Sequence, residues 1–277
     1  MTRFLVVPQW QGSPSARSMT LIDGAEAIAG DLPRSVTERV DVPVEAGEAL
    51  DTGIRRFSAI QRTRDLIAAA LDRPGGDAAA SPEHAVVIGG DCGVAVPAVA
   101  HAAASNADLA VVWFDAHADL HTPLTSPSGA FAGMALQALF GRGPLTAEGA
   151  VPTGRIVLAG TREFDDAESE VVRAEGLRVV GVGDLAAPAA LADTVVATGA
   201  RSVYVHVDLD VLDPAVITGV AAPVPFGLDV PTLTAAIAAL RERLPLAGAS
   251  LSGFAPAHPS AVVDDMGAVL RIVGALA

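Results

Sequence analysis

The run Leu109-Ala110-Val111-Val112-Trp113-Phe114-Asp115-Ala116-His117-Ala118-Asp119 decides the fold. Its first six residues are apolar, with a valine pair and two aromatic rings. That is the composition of a strand buried on both faces, as in a parallel sheet. A second run, Ser202 to Val207, leads directly into Asp208-Leu209-Asp210. Side chains of an extended chain alternate with period two, so positions 115, 117 and 119 are expected on one side, as are 208 and 210. Four carboxylates and an imidazole brought together as bare groups would repel one another strongly. One divalent cation, or two, removes that repulsion. Oxygen donors with an imidazole suit Mn²⁺, Mg²⁺ or Fe²⁺ better than Ca²⁺.

Outward from these two runs, strand-like segments recur at Phe4–Val7, Ala85–Ile88, Arg155–Ala159, Leu177–Val182 and Leu246–Leu251. Ile54–Leu71, Thr232–Leu244 and Ala261–Leu276 carry apolar residues at helical spacing. Strand alternating with helix predicts an α/β three-layer sandwich, a mainly parallel sheet with helices on both faces, formed as a single domain over residues 1–277. Ligands of such sheets lie beyond the carboxyl ends of the strands. Gly89-Gly90-Asp91-Cys92, the Asp115 cluster, Gly160-Thr161-Arg162-Glu163, the Asp208 pair and Ser252-Gly253-Phe254 each follow a strand, so one rim is expected to hold one site.

The 277 residues are 51% hydrophobic, enough for one large core. No uninterrupted apolar run reaches the roughly 20 residues of a membrane span, and no basic, apolar leader opens the chain. A single cysteine excludes an intramolecular disulfide framework and suits a reducing cytoplasm. Eighteen basic against 32 acidic residues give a net charge of −14, which argues against nucleic-acid or anionic-membrane partners.

The motifs resemble those of the ureohydrolases, the family of arginase, agmatinase and formiminoglutamase. Val111 to Asp119 is similar to one family signature. Asp208-Leu209-Asp210-Val211-Leu212-Asp213-Pro214, continued by Ala222 to Leu228, is similar to another. The resemblance implies an arginase-like fold and a binuclear Mn²⁺ centre. In it Asp115 and Asp208 bridge two ions, Asp119 binds one, and His117 and Asp210 bind the other. It further implies hydrolysis of an amidine or guanidine C–N bond by a water the ions acidify, with Asp119 orienting that water. A homo-oligomer, trimer or hexamer, is implied as well.

The chain departs from the family at three positions. Cys92 stands where the family has a metal-binding histidine. Three readings stay open for it: a small buried residue, a metal ligand, or a nucleophile at a helix N-terminus. A thiolate would favour Zn²⁺ or Fe²⁺ over Mn²⁺, and Ni²⁺ is a further candidate. Ala132 stands where relatives carry a proton-shuttling histidine, and Gly253 where arginase and agmatinase carry a glutamate that binds guanidinium. Without that carboxylate a guanidinium loses a charge-assisted contact. Arginine and agmatine are therefore not the expected substrates.

His121 is expected to bind an anion or to serve as a substitute acid/base group. Ser128 and Asp165 are expected to contact substrate, and Arg162 and Glu163 to form a rim ion pair. Of His84, His101, His206 and His258, the last is expected nearest the mouth. The leading expectation is a metal-dependent hydrolase of small linear amidine or guanidino compounds. The alternatives are a pseudoenzyme that keeps the fold for ligand binding or assembly, and cysteine-based amidine chemistry at Cys92.

Overall fold

The computed structural model describes residues 2–73, 84–146 and 151–277. In chain order its elements are β1 (Arg3–Val7), α1 (Thr20–Asp31), β2 (Thr37–Arg39), α2 (Phe57–Leu71), β3 (Ala85–Gly89), α3 (Ala95–Ser105), β4 (Leu109–Phe114) and α4 (Ala135–Ala138). There follow β5 (Ile156–Ala159), α5 (Asp166–Glu175), β6 (Arg178–Val180), α6 (Pro188–Val196), β7 (Ser202–Asp208), α7 (Val230–Arg243), β8 (Leu246–Ser252) and α8 (Val262–Leu276). The strands form one sheet in the order β2-β1-β3-β8-β7-β4-β5-β6. Every pairing is parallel. The expected α/β three-layer architecture is therefore present.

Alternation along each strand divides the core into two layers. Val6, Ile88, Val112, Phe114, Val205 and Val207 face Ile28 of α1, Leu191 of α6, Ile237 of α7 and Ile272 of α8. Leu5, Val87, Val111, Trp113, Leu158 and Tyr204 face Ile60 and Ile67 of α2, Val99 of α3 and Leu136 of α4. All six residues of β4 and all seven of β7 are buried. This two-sided burial is why their sequences read as continuous apolar runs.

Local signals set several ends. Asp165 and Glu168 form a reciprocal capping box on α5, and Gly176 closes that helix in the left-handed region. Asp229 caps α7 by accepting from Thr232 N at 2.8 Å. Two elements had no apolar pattern to announce them: β2, a three-residue edge strand, and α4, a single turn.

The layout that matters for function is the centre of the sheet. β3, β8, β7 and β4 are consecutive neighbours, so their carboxyl ends lie side by side on one rim.

Candidate metal centre

The residues after those four strands meet at the floor of a cleft of about 220 Å³, whose wall includes Cys92, Asp115, His117, Asp119, Asp208, Asp210 and Gly253. The convergence is as expected, but strand alternation does not produce it. β4 stops at Phe114, and Asp115 Oδ1 then accepts from the backbone N of His117 at 2.7 Å. β7 stops at Asp208, whose Oδ1 accepts from Asp210 N at 3.0 Å as the chain enters a 3-10 turn. Asp119 adopts a left-handed conformation, φ 54°. Turns closed by the aspartates' own side chains thus aim the acids, because the pleat ends before Asp115 and at Asp208.

The donors fall into two groups that share Asp115. In one, His117 Nδ1 lies 3.0 Å from Asp210 Oδ2 and 3.5 Å from Asp115 Oδ1. In the other, the Cys92 thiol donates to Asp208 Oδ2 at 3.0 Å, with Asp115 Oδ2 at 3.7 Å. Ser252 donates to the same Asp208 oxygen at 3.0 Å.

Burial dominates the electrostatics. It pushes Asp208 up to about 6, helped by the charge of Asp210, and Asp210 up to about 6, helped by Asp115. Asp119 is driven well above the carboxylate range by burial and then by Asp115. Its Oδ2 is buried without a hydrogen-bond partner. Burial pulls His117 down, but hydrogen bonds and charge from Asp115 and Asp210 outweigh it and push the imidazole up to about 12. Among the described residues, a proton on His117 is the one positive charge inside this acidic nest. An orphaned carboxylate oxygen and acids held together against their own repulsion are what a divalent cation would satisfy, so the donor set fits one.

Cys92 opens a short 3-10 turn before α3. Burial and the charges of Asp208, Asp119 and Asp115 hold its thiol well above the usual range, so it is a neutral donor in the metal-free chain. That state opposes the nucleophile reading, which needs a stabilised thiolate. Asp91 beside it is structural. Its carboxylate accepts from Gln9 Nε2, Gly12 N and Gly93 N at 2.9, 2.9 and 3.0 Å. A Cβ on Gly90 would sit 1.7 Å from the Gln9 carbonyl oxygen, so only glycine allows this crossing.

Among the other expected site residues, His121 and Ser128 line the cleft, and Ala132 and Gly133 form the wall next to them. A Cβ on Gly133 would lie 3.8 Å from His121 Cδ2, which places the imidazole against the segment where the family's histidine is missing. Asp165 is not part of the cleft wall. It caps α5 through Oδ1 and faces His121 Nε2 with Oδ2 at 3.4 Å. Glu168, not singled out from the sequence, does line the wall, 3.9 Å from the same nitrogen. The capping-box spacing after Asp165 was the signal that could have found it.

Two expectations need correction. Arg162 forms no ion pair with Glu163. Its guanidinium instead donates to backbone carbonyls that include Gly160, Asp210, Val211 and Val224, so it ties the loop after β7 to the rim. His258 is exposed and pairs with Ser260 at 2.8 Å, away from the cleft. The histidine beside the centre is His206, fully buried in β7 and stacked on Trp113 with ring centroids 3.7 Å apart.

Gly253 explains the lost glutamate in structural terms. Its φ is 86°, and a Cβ there would meet Asp208 Oδ1 at 2.2 Å. No side chain fits at 253 while Asp208 holds its present position.

The chain matches the arginase family over residues 25–270. It is 32% identical over 203 residues to an arginase from Bacillus caldovelox, covering 68% of this chain and 67% of that one. It is 29% identical to an N(omega)-hydroxy-L-arginine amidinohydrolase from Streptomyces lavendulae, covering 68% and 67%. The native Bacillus caldovelox arginase structure superposes with a TM-score of 0.79 at 25% identity over 97% of each chain. Several other arginases align over only about half their length, 52% for one from Bacillus subtilis. No helix among the described residues is long and apolar enough to cross a membrane. With the family match spanning nearly the whole sequence and the fold agreeing end to end, this chain belongs to the arginase family, within the ureohydrolase superfamily.

Proposed function

We propose that the protein is a metal-dependent hydrolase of C–N bonds in small linear amidines or modified guanidines, and that arginine and agmatine are not its substrates. The observation that carries this reading is the pairing of a complete acid–imidazole nest with Gly253. The nest keeps Asp115, His117, Asp119, Asp208 and Asp210 around one cleft floor, while position 253 has no room for a guanidinium-binding carboxylate. Nothing in this geometry favours a fold kept for binding or assembly alone.

Two divalent ions, Mn²⁺ in the first instance with Fe²⁺, Zn²⁺ or Ni²⁺ as substitutes, would be held by those five residues with Cys92 at the edge. When bound they supply Lewis acidity and acidify a water near neutral pH. Asp119 Oδ2, unpartnered and buried, is placed to accept a hydrogen bond from the attacking water and orient it. His121 stands at the wall with Asp165 and Glu168 behind Nε2. With its ring on the cleft wall, His121 is the group assigned to deliver a proton to the departing amine. Ser128 Oγ accepts from Ala130 N at 3.1 Å and lies 3.5 Å from Ser126 Oγ, and this pair of hydroxyls is the proposed contact for a substrate carboxylate.

An N-hydroxylated guanidine is less basic than a guanidine and depends less on a carboxylate partner. The amidinohydrolase relative named for N(omega)-hydroxy-L-arginine is consistent with such a substrate. The same reading takes residues 1–277 as one domain of a cytoplasmic homo-oligomer, a trimer or hexamer, with no nucleic-acid or membrane partner. The test is turnover by the purified protein loaded with each metal in turn, on N-hydroxyguanidino, formimino, guanidino and agmatine-type compounds. The first two classes should exceed arginine by at least about tenfold in kcat/KM. Arginine as the best substrate, or no turnover with any metal, would overturn the proposal.

A further inference from the structure

His206 is the buried side chain the proposed chemistry does not use. It lies one alternation step beneath Asp208 on the same face of β7, with none of its surface exposed. Its Nδ1 is engaged by Ser250 Oγ at 2.8 Å, and its ring is pinned flat against Trp113. Nε2 has no partner. A ring nitrogen of His206, the Cys92 sulfur and an Asp115 carboxylate oxygen all lie within 4.8 Å of one another. The Cys92 sulfur is itself 3.0 Å from Asp208 Oδ2.

We propose that Cys92 and His206, with Asp115 and Asp208, form a sulfur–nitrogen–oxygen site for a borderline-soft divalent cation, Zn²⁺ or Fe²⁺, in preference to Mn²⁺. The inference rests on the metal-dependent reading above and deepens it. His206 is outside the ligand set that the motifs imply. A histidine fixed at Nδ1 by a hydroxyl and left open at Nε2 has the arrangement of a ligating imidazole. A buried, unpaired ring nitrogen has a desolvation cost that a metal bond removes. Thiolate and imidazole together match Zn²⁺ and Fe²⁺, while the all-oxygen and imidazole donors around Asp210 match Mn²⁺. The thiol proton is released to solvent as the cation takes its place. The centre is thus two unlike halves, with Asp115 common to both.

The test uses the full chain, stripped with a chelator and reloaded with Co²⁺, Zn²⁺, Fe²⁺ or Mn²⁺. The Co²⁺ form should show sulfur-to-metal charge-transfer absorption that Cys92→Ser removes. X-ray absorption of the chain holding one equivalent of Zn²⁺ should show one sulfur and an imidazole. Zn²⁺ or Fe²⁺ should displace Mn²⁺ from one site per chain, and direct competition ranks the two. His206→Gln should weaken Zn²⁺ binding by more than about tenfold. If that variant fails to fold, His117→Asn serves instead, since an imidazole remaining beside the sulfur must then come from the Cys92 half. Absence of sulfur from the coordination sphere, sulfur without imidazole, or unchanged affinity in a folded His206→Gln would overturn the proposal. None of these readings needs turnover. A chain that binds Zn²⁺ through Cys92 yet hydrolyses nothing defeats the hydrolase reading alone. One that hydrolyses an amidine with no sulfur bound defeats this inference alone.

Discussion

The two halves of the acidic nest are built from the same strands and differ in depth and donor hardness. Around His117 and Asp210 the donors are oxygen and imidazole nitrogen, and the imidazole is partly open to the cleft, 31% exposed. Around Cys92 and His206 the donors include sulfur, and both residues are buried. The first half sits in loops after β4 and β7, where the chain is free to turn. The second is anchored in the body of β7 and at the end of β3, where the sheet fixes it. A family-wide chemistry can therefore be retained in one half while the other is rebuilt from core residues.

The largest effect should come from breaking what holds both halves. Asp208→Ala removes the carboxylate that touches Cys92 and Ser252 and closes the Asp210 turn. Metal content by mass spectrometry should fall in both halves. Turnover should drop on the order of a thousandfold, since several kcal/mol of Lewis-acid stabilisation is lost. Retention of one ion per chain would show that the halves are independent.

His121 lies outside both halves, so it separates proton transfer from metal binding. His121→Ala should lower kcat by about a hundredfold with metal stoichiometry unchanged. A loss of metal instead would make it a structural part of the nest.

Gly253 presses on Asp208, so Gly253→Glu tests whether the missing guanidinium partner can be restored. The left-handed conformation alone costs a non-glycine residue about 1–3 kcal/mol, and the contact with Asp208 adds to that. The melting temperature should fall, and arginine hydrolysis should not appear. A stable variant that cleaves arginine would show that Asp208 moves freely.

The smallest effect is on stability against pH in chelator. Asp91, Asp208 and Asp210 each have a folded value of about 6, above 3.8. The folded chain therefore binds more protons than the unfolded chain between about pH 4 and 6. Its stability falls as pH rises through that window, and Asp119, raised well above 3.8, carries the fall beyond it. His117, pushed to about 12, is charged in both states there and adds no slope. Acidifying the metal-free protein from pH 7 to 5 should raise its melting temperature by several degrees. Saturating Mn²⁺ should reverse the trend, because the ions require the ionised acids. Identical slopes with and without metal would sink this account of the nest.

Much of this was legible in the residues. β4 spans Leu109–Phe114, the run quoted at the outset, and β7 extends the Ser202–Val207 run by one residue, to Asp208. Edge strand β2 was not legible, because three half-exposed residues carry no apolar pattern. The five acid and imidazole donors were named correctly as neighbours, but for a reason that ends where the strands end. His206 gave only a weak signal: it is the one histidine inside β7, and it shares the face of Asp208. The alternation that places it there was available, but the partner sulfur from β3 was not. Glu168 was not singled out and Arg162 was expected to pair with Glu163, and only packing shows the first on the cleft wall and the second tying down carbonyls.

The sequence by itself determined the layered α/β fold and the chemistry of the rim, because buried parallel strands require unbroken apolar runs and acids placed after such runs have few uses except a cation. The tertiary structure alone decided how those acids divide. Strand order puts β8 beside β7 and β3 next beyond β8, which brings Ser250 and Cys92 to His206 and sets Gly253 against Asp208. Cys92 and Asp208, which meet in the same place, are 116 positions apart. No local pattern encodes such separations, since they follow from the order in which the strands pack.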